Sequence, residues 1–113
     1  LMPGGADINP DYYINKVTPE LREYLLANRH LALVNAESNL RDPFEYAFIR
    51  KYIDDPGQEK LPLLGICRGM QMMTVGKGIP LYLDIKTELG MKNRRYLFDR
   101  IHVEKGTGLD DIY

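Results

Sequence analysis

Leu61-Pro62-Leu63-Leu64-Gly65-Ile66-Cys67-Arg68-Gly69-Met70-Gln71 is the stretch on which the fold turns. Residues 61–66 form a short apolar run of the kind found in a parallel strand buried on both faces. Helical spacing resumes at Met70, Met72 and Met73 and carries on to Gly76 and Gly78. Strand, sharp turn and helix therefore meet at Cys67, inside a G-x-C-x-G frame. The two glycines leave room for a strained turn that projects the thiol away from the backbone, as a nucleophile elbow does. The unpaired amides of the first helical turn sit at the positive end of the helix dipole. They favour thiolate over thiol and can hold an oxyanion. A lone cysteine without such a context is more often a small buried hydrophobe; the glycines and the strand–turn–helix setting reverse that balance.

Outward from the elbow, the flanks alternate in type. Pro3-Gly4-Gly5-Ala6-Asp7-Ile8-Asn9-Pro10 has the composition of a tight loop that exposes its backbone. Thr18-Pro19 supplies an N-cap and a first-turn proline, which predicts a helix over about 18–29. The apolar run Leu31-Ala32-Leu33-Val34 stays unassigned, because periodicity does not separate helix from strand there. Asp42-Pro43-Phe44-Glu45 resembles a capping box. It predicts a helix beginning at Asp42, burying Phe44, Ala47, Phe48 and Tyr52, and ending at Asp54-Asp55-Pro56-Gly57. Residues 80–85 form a weak strand and 96–104 a better one, with Leu97, Ile101 and Val103 on one face and a turn at Gly106-Thr107-Gly108. Apolar strands alternating with capped helices imply an α/β layered fold with a mostly parallel sheet. Such sheets take ligands beyond the carboxyl ends of their strands, a rim that suits both Cys67 and Gly5.

Composition excludes several classes of function. The 113 residues, 13.0 kDa in all, carry 15 Lys+Arg against 16 Asp+Glu, and the net charge of −1 offers no footprint for nucleic acid or an anionic membrane. Apolar residues make up 44% and charged residues 27%, as in ordinary globular chains, and the length fits one domain. No apolar run approaches a membrane span, no secretory signal opens the chain, and a cytoplasmic protein is the default. One cysteine forms no internal disulfide, and no Cys/His spacing suits zinc. No metal or cofactor is expected.

Residues 63–71 resemble the nucleophile segment of the class I glutamine amidotransferase-like family, in the branch of γ-glutamyl-γ-aminobutyrate hydrolases and γ-glutamyl hydrolases. Residues 1–10 resemble that branch's oxyanion loop, Arg41-Asp42-Pro43-Phe44-Glu45 its preceding helix, residues 80–85 the segment after the elbow helix, and His102-Val103-Glu104 with 106–109 a later strand and turn. The resemblance implies a three-layer, flavodoxin-like fold and a thioester mechanism. Cys67 would attack the γ-carbonyl of a small γ-glutamyl substrate, the amides of Gly5 and Arg68 would stabilise the oxyanion, and Gln71 with Gly4 would hold the glutamyl group. The family's downstream His-Pro-Glu element, which supplies the base, has no counterpart here. His102 matches a strand whose histidine is not catalytic, and His30 has no acidic neighbour in sequence. Residues 1–113 thus read as the central part of one domain, without its first strands and its closing His/Glu segment, and inactive alone. A glutaminase subunit feeding ammonia to a synthetase, and a γ-glutamyl-binding homologue without catalysis, are the alternatives. A second copy of the chain stays open as a partner.

Overall fold

Met2 and Gly65 are 63 positions apart in sequence, yet they pair in parallel: the Met2 amide donates to the Leu64 carbonyl at 2.8 Å and the Ile66 amide to the Met2 carbonyl at 2.9 Å. This bridge sets the opening loop beside the elbow, and the rest of the architecture holds it there. The computed structural model describes residues 1–55, 62–90 and 102–106. Its helices are α1 (Pro19–Ala27), α2 (Ala36–Asp54), α3 (Arg68–Gly76) and α4 (Ile85–Leu89), with 3₁₀ turns at Pro10–Tyr12, Ile14–Lys16 and Arg29–Leu31.

α1 begins where its cap predicts, with the Thr18 hydroxyl accepting from the Leu21 amide and Pro19 in the first turn. α2 departs from expectation. It starts at Ala36, not Asp42, because Asn35 is the stronger cap: its side chain accepts from the Glu37 and Ser38 amides, and the Ser38 hydroxyl accepts from the Asn35 amide in return. Pro43 lies inside the helix and removes one rung of its ladder without ending it. The buried face also differs from the expected one. Ser38, Asp42 and Ile49 point inward, four and seven residues apart, whereas Phe44, Ala47 and Phe48 are exposed and Tyr52 is half-buried.

Met2, Ile8, Tyr13, Ile14, Leu25, Ile49, Met72, Val75 and Leu83 form the core. α2 packs on α3 at Gly76, where a Cβ would overlap Ile49, and the Arg50 guanidinium donates to the Gly76 carbonyl at 3.0 Å, capping the end of α3.

The expected mostly parallel sheet is not formed among the described residues, which are mainly helical. The strand expected at 61–66 is reduced to the single bridge at Gly65, since only Met2 lies alongside to pair with it. Residues 80–84 form no strand among the described residues, with a bend at Leu83, and Ile85 opens α4 because the Asp84 carboxylate caps it through the Thr87 amide at 2.9 Å. Of the strand expected at 96–104, residues 102–104 form no regular element, and the remainder lies outside the described residues. Gly106 takes the left-handed conformation of a turn, φ 78°, while the other positions of that expected turn are not described. No helix among the described residues is long and apolar enough to cross a membrane.

Candidate active site

Cys67 is the one non-glycine among the described residues with a positive φ, at φ 52° and ψ −113°. An L-residue holds that conformation at a cost of about 1–3 kcal/mol, and only where its surroundings leave no alternative. Those surroundings are the two glycines. A Cβ at Gly65 would stand 2.5 Å from the Met70 amide nitrogen, and one at Gly69 would overlap the Met2 backbone. With both side chains absent, strand-like segment, elbow and α3 close on one another. The thiol at the junction is left exposed at the N-cap of α3. The Gly69 amide is bonded to the Ile66 carbonyl and the Gln71 amide to the Cys67 carbonyl, whereas the Arg68 amide has no partner among the described residues.

The opening loop reaches this junction. A Cβ on Gly4 would lie 3.4 Å from the Cys67 Cβ and 3.9 Å from its Sγ, so the side of Gly4 that carries no side chain is turned toward Cys67. Gly5 sits against the Arg41 and Glu37 side-chain ends and the Arg68 Cδ. Cys67, Gly4, Gly5 and Arg68 are therefore brought together. Gln71, one turn along α3, lines a cleft of about 390 Å³ with Asp7, Ile8, Tyr13, Met70 and Leu83, among others. Cys67 itself is outside that lining. Burial chiefly, helped by the Glu88 and Asp7 carboxylates, keeps the Tyr13 hydroxyl protonated well above the usual range. His30 and His102 are both exposed, and among the described residues neither is hydrogen-bonded to Cys67. No described group of His, Cys, Asp and Glu could hold a metal ion.

The loop is fastened by α2, through Ser38, which the sequence does not single out, and through Arg41 and Asp42, which it marks as a helix start and not as a tether. The Ser38 hydroxyl donates to the Asp7 carbonyl at 2.6 Å, Arg41 donates to the carbonyls of Gly4 at 3.0 Å and Pro3 at 3.3 Å, and Asp42 accepts from the Asn9 amide at 2.9 Å. Asp42 and Glu45 also take the two terminal nitrogens of Arg68, whose side chain is wholly buried. Only its Nε lacks a partner among the buried side-chain donors described. The Asp42/Glu45 spacing reads as a cap when a helix starts at Asp42. On a helix already running, the same spacing of three places both carboxylates on one face, where they need a cation. The Arg of G-x-C-R-G is that cation.

A family model described as Peptidase C26 matches residues 1–113. Protein NtpR of Enterococcus hirae is 33% identical over 88 residues, which cover 77% of this chain and 29% of that protein. A glutamine amidotransferase-like protein, YvdE, of Lactococcus lactis subsp. lactis is 31% identical over 85 residues, covering 75% of this chain and 29% of its own length. A third relative, the glutamine amidotransferase-like protein RP404 of Rickettsia prowazekii, is 34% identical over 76 residues, or 66% of this chain and 21% of its own. The matched stretch thus spans less than a third of each relative. No solved structure gives a significant match.

Proposed function

The chain belongs to the Peptidase C26 family, and from that premise we propose that it contributes the nucleophile half of a cysteine hydrolase of γ-glutamyl amide bonds, built on a class I glutamine amidotransferase-like fold. The Cys67 sulfur attacks the γ-carbonyl carbon of a small γ-glutamyl amide, the C–N bond breaks, and the amine leaves with a proton. Water then cleaves the γ-glutamyl thioester and releases glutamate. The Gly5 and Arg68 amides receive the oxyanion of each tetrahedral intermediate, and Gly4 and Gln71 hold the glutamyl group. The thiol proton goes to a general base, the task that the family's downstream histidine and its orienting carboxylate perform.

One observation carries this reading: an exposed thiol held at positive φ at the head of α3, beside Gly4, on which a Cβ would come within 3.9 Å of the Sγ. A cysteine that only filled space would need neither the strain nor the two flanking glycines. The test is release of p-nitroaniline from γ-glutamyl-p-nitroanilide by the full-length protein, beside Cys67→Ala, with glutamine as a second substrate. Loss of a nucleophile that works as part of a unit costs on the order of 10⁴–10⁶ in kcat, and that is the fall expected. Cleavage persisting in the variant overturns the assignment. Ammonia release from glutamine at a rate exceeding cleavage of the anilide redirects the substrate class.

A further inference from the structure

Two halves of the proposed site come from segments more than 60 residues apart, and the Met2–Gly65 bridge alone does not set the position of residues beyond it. Glu45 touches the holders of both halves. Its Oε1 accepts from Arg41, at 2.8 Å from Nε, and its Oε2 accepts from Arg68 Nη1. Arg41 in turn donates to the Gly4 and Pro3 carbonyls, and a Cβ on Gly5 would meet the Arg68 Cδ at 3.2 Å. Asp42 makes a second link of the same kind, from Asn9 of the loop to Arg68 of the elbow. The two acids differ in one respect. Asp42 is sealed in the interior, whereas Glu45 keeps 18% of its side chain exposed. Its charge is not needed to neutralise Arg68, because Asp42 remains.

We propose that Glu45 is a positioning residue: by joining Arg41 to Arg68 it fixes the opening loop against the elbow, so that the Gly5 and Arg68 amides converge on one oxygen. The inference rests on the proposed hydrolase chemistry and adds to it a residue that touches no substrate. A carboxylate accepts from two guanidinium groups at once, one oxygen for each. A glutamine offers a single carbonyl oxygen, and its NH₂ repels the second guanidinium, so one arm is released and the loop moves relative to α3. Oxyanion donors act only on the developing charge, and a misplacement of about 1 Å costs on the order of 10² in rate. The ground state, held by other contacts, is affected far less.

The experiment compares Glu45→Gln, Glu45→Asp and wild type in the full-length protein, on γ-glutamyl-p-nitroanilide, with iodoacetamide alkylation of Cys67 as a second readout. For Glu45→Gln, kcat is expected to fall about 10²-fold with KM within about threefold. Alkylation, which needs the thiolate and no oxyanion, should stay within about twofold of wild type, and Glu45→Asp should recover part of kcat by keeping both oxygens. A folded Glu45→Gln with unchanged kcat overturns the proposal. So does a loss carried by KM, or an alkylation rate that falls in step with kcat, which would place the effect on the thiolate. A wild type that cleaves no γ-glutamyl bond sinks the hydrolase reading and this inference with it; an active wild type beside an unimpaired variant sinks this inference alone.

Discussion

Arg68 and Arg29 are both paired with aspartates, and the two pairs have opposite physical characters. The Arg68–Asp42 pair is closed to solvent, with side chains 0% and 1% exposed, while Arg29–Asp11 leaves 44% and 54% of its side chains in water. Burying two charges costs several kcal/mol per ion, and attraction recovers that only if every remaining lone pair finds a donor. Asp42 accepts a further bond from the Asn9 amide, and Arg68 gives its second terminal nitrogen to Glu45, leaving only its Nε without a partner among the described residues. The surface pair faces no such requirement and gains correspondingly little. What the contrast teaches is that the buried network is valuable for where it holds things. It ties the opening loop, α2 and the elbow into one arrangement, which an apolar core of equal volume would not specify.

The sharpest way to break this comparison is to remove one partner on each side of it. Arg68→Met leaves Asp42 without its cation and Glu45 with Arg41 alone, and a buried charge stripped of its partner destabilises by about 3–5 kcal/mol. In urea unfolding of the full-length protein, that shift should be accompanied by loss of activity. Adding Asp42→Leu to Arg68→Met removes the orphaned carboxylate and should restore most of the stability, since a well-packed apolar replacement is often neutral. Activity should not return, because the loop has lost its tether at Asn9. If the single variant costs under about 1 kcal/mol, the network is not the constraint argued here.

This division between stability and placement also explains what could be read in advance. The elbow was legible because its signal is local: G-x-C-x-G after an apolar run needs only its own glycines and the helix that follows, and the structure holds Cys67 at φ 52° in that setting. α1 was legible for the same reason, through Thr18 and Pro19. α2 was not. Asp42-Pro43 carries a strong start signal, and it lost to Asn35 and Ser38 because tertiary bonds to Asn9 and Arg68 compensate a proline inside the helix. Phe44 and Phe48 are exposed because the face turned inward is the one that carries Asp42 and Ile49. The apolar runs at 62–66 and 80–85 do not become strands among the described residues, since such a segment does so only when a neighbour pairs with it, and Met2 is the single neighbour described. Arg68 in its motif is visible in the sequence, whereas its carboxylate partners, 23 and 26 positions away, read locally as a helix cap and carry no mark of the pairing.

Asp84 sharpens the comparison from the middle ground, as a carboxylate outside the core that nevertheless has a defined structural task. The Thr87 hydroxyl, followed by the Thr87 amide, holds it below its ordinary 3.8, and the Glu88 carboxylate accepts from the Asp84 amide at 2.9 Å. A carboxyl depressed in the folded state contributes stability above its unfolded pKa and loses it as pH falls through the folded one. The α4 cap should therefore be intact at pH 5 and above and fade below about pH 4. Comparing acid unfolding of Asp84→Asn with wild type checks this. The variant should show a smaller loss between pH 5 and pH 2, and identical acid limbs would show that the cap does not depend on the charge.

The smallest effect belongs to Arg50–Asp54, four residues apart on α2 and about half-exposed, at 41% and 57%. Helix pairs of this kind are worth about 0.3–0.5 kcal/mol. Two features reduce even that. Asp54 is the last residue of α2, where its negative charge opposes the helix dipole. Arg50 also keeps its bond to the Gly76 carbonyl when the aspartate is gone. Asp54→Asn is thus expected to change stability by less than about 0.5 kcal/mol, and the difference should vanish in 1 M NaCl, where the screening length is about 3 Å. The Arg68→Met penalty should survive the same salt, because mobile ions do not enter a site with no exposed surface. Equal salt responses from the two variants would mean that water reaches Arg68, and the distinction between the pairs would then be one of degree.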